Sequence, residues 1–351
     1  MVDLIVVGAG LSGLALAKAA AARGADVLIL EARPRIGGRA LSHRTAAGAY
    51  DLGPAWVWPS FQPRIAEAVR AAGLTLSEQF ESGGFVFEDE RGLIQRLPHG
   101  FVQEPPSMRV VGGVTALADA FAAGLPQGAI RLEHEVRRIA LAEFGVEVEA
   151  QSPAGSAMLR AGRVALALPP RLVCRIAFQP ALPPPVSSAL SAVPGWMTGQ
   201  AKALALYDRP LWREAGLSGG AFSRRGPLGE IHDASLMGAV EAALVGFFCW
   251  PAQLRAARRG ELAGLVAGQL GALFGPEAGR PRELIVQDWA REPFTATEAD
   301  ATPLARHPDY RPIALPAPWS ERIALAGAEL APEFGGYLEG ALAAAEAASF
   351  W

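Results

Sequence analysis

Cysteine is scarce in this chain of 351 residues, which contains only Cys174 and Cys249. Two cysteines are too few for a disulfide framework or for a cysteine-based zinc site. The five histidines are isolated in the sequence from one another and from the cysteines, so no metal site is predicted. Both cysteines have apolar neighbours, and we expect them to be buried free thiols.

Net charge and long apolar runs are also lacking. The formal charge is -3, and the arginines are scattered, so we expect no nucleic-acid partner. No uninterrupted apolar run reaches the roughly 18 residues of a membrane-spanning helix. The first apolar run follows Asp3 without a basic segment before it, unlike a signal peptide. With 51% hydrophobic residues, the sequence predicts a soluble, cytoplasmic enzyme of one large or two medium domains.

The most informative pattern is "VDLIVVGAGLSGLALAKAAAARGADVLILEARPRIGGRA", at residues 2–40. Its two apolar runs predict strands of a parallel sheet, and the stretch between them predicts a helix. Gly8 permits a tight turn, Gly10 lets a pyrophosphate approach the backbone, and Gly13 lets the helix pack closely on the strand. The first N–H groups of the helix, near Leu11 and Ser12, are expected to face the phosphates.

An acid and a second pair of glycines follow. Glu31 ends the second strand 18 residues after Gly13, near the spacing of a carboxylate that accepts hydrogen bonds from a ribose. Two glycines and an arginine then place a flexible loop and a cation within reach of the same pyrophosphate. The segment therefore predicts a dinucleotide site. Its further contacts are expected at Ala32, Arg33, Gly37, Gly38 and Arg39.

This opening resembles that of the flavin-containing amine oxidases, which include monoamine, polyamine and L-amino-acid oxidases. The resemblance implies that the segment binds the ADP half of FAD. It also implies an α/β fold, with a Rossmann-like FAD-binding domain of the glutathione-reductase and amine-oxidase type interleaved with a smaller α+β substrate domain. The expected FAD-binding domain comprises residues 1–60, 108–180 and 305–351, and the substrate domain comprises 61–107 and 181–304.

Later blocks resemble the family in the same order. In "DLGPAWVWPSFQPRI" an acid-x-Gly turn leads toward the flavin and Trp56 faces the substrate. Lys202, in "AKALALYDRPLW", takes the position of a lysine that points at the flavin, and Trp289, in "VQDWAREPFTATEAD", lies near the ring. Tyr337 begins the last helix beneath the flavin. The resemblance thus gives catalytic roles to these four residues and cofactor contacts to Trp56, Trp289 and Tyr337. It implies further cofactor contacts at Gly53, Pro54, Ala55, Val136, Gly327, Ala328, Glu329, Gly336 and Leu338.

Three departures from the family change what is expected of the site. Only about fifty residues separate Pro59 from the glycine pair at 112–113, which predicts a reduced lid over the substrate cavity. Glu298 stands where members with covalent flavin carry a cysteine, so the flavin is expected to be non-covalent. Ala299 stands where monoamine oxidases carry the second tyrosine of an aromatic cage, which predicts an open site.

The implied reaction is oxidation of a small-molecule amine to an imine, by hydride transfer to the flavin N5 atom. Dioxygen is the expected electron acceptor, with Lys202 holding a water that aids reoxidation. The short substrate segment leaves open a renalase-like oxidase of dihydronicotinamides or a desaturase or isomerase of apolar substrates. An FAD-binding accessory protein without catalysis is a third alternative. Lys202 has a second interpretation, as a solvated lysine on a strand edge. Trp58 is predicted to be a core residue. The sequence does not indicate the oligomeric state.

Overall fold

Two large sheets and two two-stranded sheets form the framework of the part of the chain that the structure describes. The computed structural model describes residues 1–100, 102–302 and 304–348. Its strands are β1 (Val2–Val7), β2 (Val27–Leu30), β3 (Ser42–Arg44), β4 (Ala49–Asp51), β5 (Leu76–Glu78), β6 (Gly84–Glu88), β7 (Ile94–Leu97), β8 (Met108–Val110), β9 (Ile130–Arg131), β10 (Glu135–Ala142), β11 (Gly145–Ser152), β12 (Gly155–Leu166), β13 (Ala177–Gln179), β14 (Ala201–Tyr207), β15 (Leu217–Ser223), β16 (Leu228–Asp233), β17 (Ala242–Phe248), β18 (Glu283–Asp288) and β19 (Ile323–Leu325).

Helices connect and cover these strands. The α-helices are α1 (Leu11–Ala21), α2 (Pro63–Ala71), α3 (Val114–Ala123), α4 (Pro170–Val173), α5 (Pro184–Ala192), α6 (Leu211–Glu214), α7 (Ala252–Ala257), α8 (Leu262–Phe274) and α9 (Leu338–Ala347). Short 3₁₀ helices cover Arg259–Glu261, Trp289–Arg291, Glu298–Ala301, Trp319–Glu321 and Ala328–Leu330.

The first sheet contains the βαβ unit that the sequence predicts at its start. Its strand order is β13-β10-β11-β12-β1-β2-β9, and β19 pairs with β12. Strand β1 runs parallel to both β2 and the end of β12. The last four residues of β1 are buried, as expected of a strand covered on both faces. Strand β12 pairs antiparallel with β11 along its first half, so it passes from a small meander into the parallel layer.

The second sheet has the order β18-β14-β17-β16-β15-β6-β7. Every residue of β14 is buried. Because side chains alternate along a strand, Ala203 and Ala205 pack toward α8, while Leu204 and Leu206 face the other way. That second face packs against Tyr50 and its neighbours from the chain's first sixty residues. Strand β14 is therefore held between the two halves of the molecule.

Helix α2 packs with the first sheet, although it lies within the segment predicted to belong to the substrate domain. Ile65 and Val69 are buried in the hydrophobic cluster that also contains α1 and α9. The Glu339 carboxylate of α9 accepts hydrogen bonds from the backbone N–H groups of Arg64 and Ile65, at 3.1 and 2.8 Å. The domain division stays a prediction, and these contacts favour placing its first boundary after α2.

Cys174 and Cys249 are free thiols, but both are exposed, so the prediction that they are buried was wrong. Cys174 follows the four-residue helix α4, and Cys249 comes one residue after β17 ends. Their neighbours in the sequence are apolar, but both positions fall where a regular element has ended and the chain turns outward. In the described ranges of the chain, no helix has the length and apolar character needed to cross a membrane.

Candidate active site

A large cavity of about 470 Å³ is lined by residues from both large sheets. That volume lies within the range of small-molecule and cofactor sites, roughly 300–1,000 Å³. The wall includes the β1–α1 turn, the loop after β2, the segment after β4, strands β14 and β17, and the start of α9. Segments that are far apart in the sequence therefore meet in one site.

Most of the residues that the sequence singled out lie on this wall. They are Gly8, Gly10, Leu11, Ser12, Glu31, Ala32, Arg33, Gly37, Gly38, Arg39, Gly53, Pro54, Ala55, Trp56, Val136, Lys202, Trp289, Ala328, Gly336, Tyr337 and Leu338.

Three predicted cofactor contacts, at Gly13, Gly327 and Glu329, lie off the wall. A Cβ built on Gly13 would lie 2.0 Å from the Gly8 carbonyl oxygen, and one built on Gly327 would lie 2.3 Å from the Leu168 carbonyl oxygen. Such distances are shorter than any real contact, so both glycines are required for close backbone packing. These two glycines permit close backbone packing next to the site and do not line the cavity themselves.

The N-terminus of α1 faces the cavity. Gly10 is its N-cap, no side chain in the described part of the protein caps it, and its first turn contains no acid. A Cβ built on Gly10 would have no protein atom within 4 Å, so a ligand can contact the backbone there. Free N–H groups and the positive end of the helix dipole are the donor set that a phosphate requires.

Glu31 is buried at the end of β2, with 4% of its surface exposed. Its carboxylate accepts hydrogen bonds from the backbone N–H groups of Ala9, at 2.8 Å, and Arg33, at 2.9 Å. These bonds fix the carboxylate against the glycine-rich turn. A carboxylate has about four acceptor positions, so capacity for ribose hydroxyls remains.

Arg39, from the first part of the chain, and Glu329, from its last part, form a bidentate ion pair. Glu329 is fully buried, and the guanidinium of Arg39 reaches the cavity wall. Burial acts to lower the pKa of Arg39, but the charge and hydrogen bonds of Glu329 outweigh it and raise the pKa above its ordinary value. Glu329 therefore orients a permanent cation toward the cavity, although it does not itself line the wall.

Lys202 lies on β14 with 5% of its surface exposed, which contradicts the interpretation as a solvated edge lysine. Its Nζ donates a hydrogen bond to the Gly53 carbonyl and lies 4.7 Å from the centroid of the Phe247 ring. Burial lowers the pKa of Lys202 to about 7, although the nearby charge of Asp51 acts to raise it. A lysine in this position changes its charge near neutral pH.

Lys202 belongs to a row of side chains across three strands. It pairs with Phe247 in the register of β14 and β17, and Phe247 pairs with Glu230 of β16. Directly paired residues share a face of a sheet, and all three line the cavity. Glu230 is half-exposed, and its Oε1 lies 2.6 Å from His232 Nε2. Neither Phe247 nor Glu230 was predicted from the sequence, because only strand register brings them beside Lys202.

Indole rings form much of the wall around this row. Trp56 donates from Nε1 to Gln79 Oε1 at 2.8 Å, and its ring centroid is 5.8 Å from that of Phe247. Trp289 donates from Nε1 to the Leu52 carbonyl at 3.0 Å. Trp58 also lines the cavity, so its assignment to the core was wrong.

Tyr337 is the N-cap residue of α9 and follows Gly336, whose φ of +79° favours glycine. Burial raises the pKa of Tyr337. The ring centroid of Trp196 lies 6.1 Å from that of Tyr337, and both residues line the cavity. Trp196 was not predicted from the sequence to be a site residue. The feature of the sequence that could have indicated it is an aromatic residue in a Pro-Gly-Trp turn, six residues before Lys202.

Glu298 and Ala299 are both exposed in a 3₁₀ helix and lie outside the cavity wall. The non-covalent flavin and the open site that were expected from these two positions therefore stay predictions. Phe294 and Thr295 reach the wall instead, and the Thr295 hydroxyl accepts a hydrogen bond from Arg33 Nη2 at 2.7 Å. The segment between Trp289 and that helix thus approaches the cavity, whereas the helix itself lies outside the wall. The two cysteines are also absent from the wall.

Comparison with known proteins agrees with this geometry. The model of the flavin containing amine oxidoreductase family matches residues 101–349, and that of the NAD(P)-binding Rossmann-like domain matches residues 6–72. Putrescine oxidase of Kocuria rosea is 25% identical, over 84% of this chain and 83% of its own. L-amino acid dehydrogenase of Synechocystis is 29% identical, over 70% of this chain and 51% of its own.

Solved structures show the same fold. Cyclohexylamine oxidase from Brevibacterium oxydans superposes with a TM-score of 0.81 at 21% identity, over 99% of this chain and 97% of the other. Because the family model spans most of the sequence and the cavity presents the donors that an FAD requires, the cofactor is FAD. The chain belongs to the flavin containing amine oxidoreductases and is an FAD-dependent enzyme that acts on amines.

Proposed function

We propose that the chain oxidises a bulky primary or secondary amine to an imine and that dioxygen accepts the electrons. The observation that carries this proposal is Lys202, a buried lysine on a cavity wall that the dinucleotide donors share. Bound FAD supplies the hydride acceptor. The protein's own part is to bind, orient and desolvate the amine.

Two parts of the cavity wall have different roles in this proposal. The N-terminus of α1, Glu31 and Arg39 provide the phosphate and ribose contacts of a dinucleotide. Trp56, Phe247 and Lys202 enclose the other part. An amine must lose its proton before its lone pair assists cleavage of the C–H bond, and an apolar aromatic wall favours the neutral form.

The aromatic wall also supports a bulky substrate. Trp56 and Tyr337 both line the cavity and provide aromatic surface for the body of the amine. A small amine leaves water in the cavity and is held loosely, whereas a larger one fills the space and keeps its reactive carbon in place. We therefore expect amines of benzylamine size or smaller to be poor substrates.

The experiment is anaerobic mixing of the FAD-loaded protein with amines of graded size, followed by the loss of flavin absorbance. Reduction should be faster with bulky and secondary amines than with benzylamine, and raising the pH should accelerate it by increasing the neutral fraction. Fast reduction by benzylamine would reject the preference for bulky amines. Reduction by dihydronicotinamides but by no amine would move the assignment to the renalase-like alternative.

A second candidate is a diamine, and Glu230 favours it. The half-exposed Glu230 carboxylate lies on the same wall as Lys202, two strands away, or about 10 Å at the usual strand spacing. It offers a counter-charge to a second ammonium group, and a relative is named putrescine oxidase. Faster reduction by 1,4-diaminobutane than by butylamine, lost in Glu230→Gln but kept in the surface variant Glu147→Gln, would select this candidate.

Flavin attachment is proposed to be non-covalent. Phe294 and Thr295 line the cavity in the segment after Trp289, and neither is a cysteine. Acid precipitation should therefore release all FAD into the supernatant. Flavin that stays with the pellet would contradict this proposal.

A further inference from the structure

Trp196 and Tyr337 lie side by side on the cavity wall. Their ring centroids are 6.1 Å apart and their planes are inclined by 38°. Two rings that hold a substrate group between their faces must be about 7–8 Å apart, because each contact between carbon atoms takes roughly 3.5–4.0 Å. The two rings therefore form one continuous surface and not the two sides of a cage.

His307 extends the same group of rings. Its ring centroid lies 4.8 Å from Trp196 and 5.3 Å from Tyr337. A Cβ built on Gly336 would lie 2.6 Å from the Cβ of Trp196, so the start of α9 and the Trp196 loop are in direct contact. The N-terminus of the last helix thus packs against the Trp196 side chain.

Side chains from three other segments hold the loop that carries Trp196. Asp300, 7% exposed, accepts a hydrogen bond from the Gly195 N–H at 3.1 Å, and its carboxylate is paired with Arg171. The Tyr310 hydroxyl donates to the Pro194 carbonyl at 2.7 Å. Arg255, 1% exposed, donates from Nη2 to the Gly199 carbonyl at 2.7 Å. These bonds fix the loop on both sides of Trp196, and none of them involves the cavity itself.

We propose that Trp196 determines substrate specificity by extending the Tyr337 surface, on which the apolar ring of an arylalkyl amine packs. Asp300 is a positioning residue that holds the indole at the cavity wall. This inference rests on the proposed amine oxidation. It predicts one-sided stacking of the substrate's ring, while the reactive nitrogen lies elsewhere in the cavity.

The test compares 4-phenylbutylamine with octylamine, both larger than benzylamine, in anaerobic reduction of the parent protein, Trp196→Ala and Trp196→Phe. We expect Trp196→Ala to raise the half-saturating concentration of 4-phenylbutylamine about tenfold, the loss expected from one aromatic contact. The half-saturating concentration of octylamine and the limiting rates of reduction should change much less. Trp196→Phe should restore most of the selectivity, and Asp300→Asn should reduce it in the same direction as Trp196→Ala.

Equal changes for the two amines, or a lower limiting rate with unchanged half-saturation, would overturn the role of Trp196. If Trp196→Ala does not retain FAD, Trp196→Leu, which keeps an apolar side chain, replaces it under the same criteria. A parent protein that no amine reduces would reject the proposed function, and the inference with it. Parent reduction with unchanged selectivity in the variants would reject the inference alone.

Discussion

The charge of Lys202 is set by neighbours that act in opposite directions. Burial lowers its pKa to about 7, the charges of Asp51 and Glu230 act to raise the pKa, and that of Arg109 acts to lower it. The folded protein therefore contains a lysine that is partly protonated at neutral pH. A cation beside dioxygen stabilises the negative charge that develops as dioxygen is reduced.

At the scale of this residue, we predict that Lys202→Met retains FAD and is reduced by amines but is reoxidised by dioxygen at least tenfold more slowly. In the parent, the rate of reoxidation should be highest below pH 7, where Lys202 is protonated, and should fall as the pH rises through about 7. The variant should show no such step. Stopped-flow mixing of the reduced proteins with aerated buffer at pH 6 to 9 measures both effects, and equal rates in the two proteins would point to another electron acceptor.

Helix α1 depends on two glycines with different tasks. A Cβ at Gly13 would lie 2.0 Å from the Gly8 carbonyl oxygen, so this glycine permits the helix to pack on β1. Gly10 has a φ of -72°, which any residue adopts, and open space where a Cβ would stand. One glycine is needed by the fold, and the other is free to serve a ligand.

At the scale of this element, Gly13→Ala should lower the thermal unfolding midpoint of the FAD-free protein by several degrees, because backbone atoms must move apart. Gly10→Ala should leave that midpoint unchanged and weaken FAD binding at least tenfold, because its methyl group occupies the space where a phosphate approaches. Circular dichroism and FAD fluorescence titration measure the two quantities. The prediction fails if both variants lose the same property.

Elements could be predicted where their signal is local. The apolar runs of β1 and β2, the helix between them and the three glycines follow from neighbours in the sequence, and the structure has them. The resemblance placed Lys202 correctly on the wall. It did not indicate that Ala299 is exposed and lies off the wall, because the placement of that 3₁₀ helix depends on distant segments that bind Asp300. Glu230 and Trp196 were missed because a strand register in one case, and a loop held by distant side chains in the other, bring them to the site.

The whole molecule is joined at the segment between β4 and α2. The Leu52 carbonyl accepts from Trp289, and the Gly53 carbonyl accepts from Lys202. Two residues next to the first sheet thus bind two segments of the second half, with the cavity beside them. Length and composition indicated one large or two medium domains, and the domain division stays a prediction, but the way in which the two halves meet depends on these non-local bonds.

At this scale, FAD should stabilise the protein as one unit. With FAD at 100 times its dissociation constant, the free energy of unfolding should rise by about 2.7 kcal/mol. FMN at the same concentration should stabilise it less, because it lacks the adenosine half that Glu31 and the surface near Val136 are proposed to bind. Thermal scans with each flavin measure the difference, and an equal shift with FMN would contradict these assignments.

The ion pair between Arg39 and Glu329 has a consequence for protein synthesis. Its partners are 290 residues apart, and Ser12 donates to the carbonyl of Ala326 across 314 residues. At 5–20 residues per second, a ribosome needs roughly 15 seconds to a minute to make the intervening chain. During that time α1 lacks the helix that covers it, and Arg39 lacks its carboxylate. We therefore predict that flavin loading follows translation and that a nascent chain stalled before Ala326 binds no flavin.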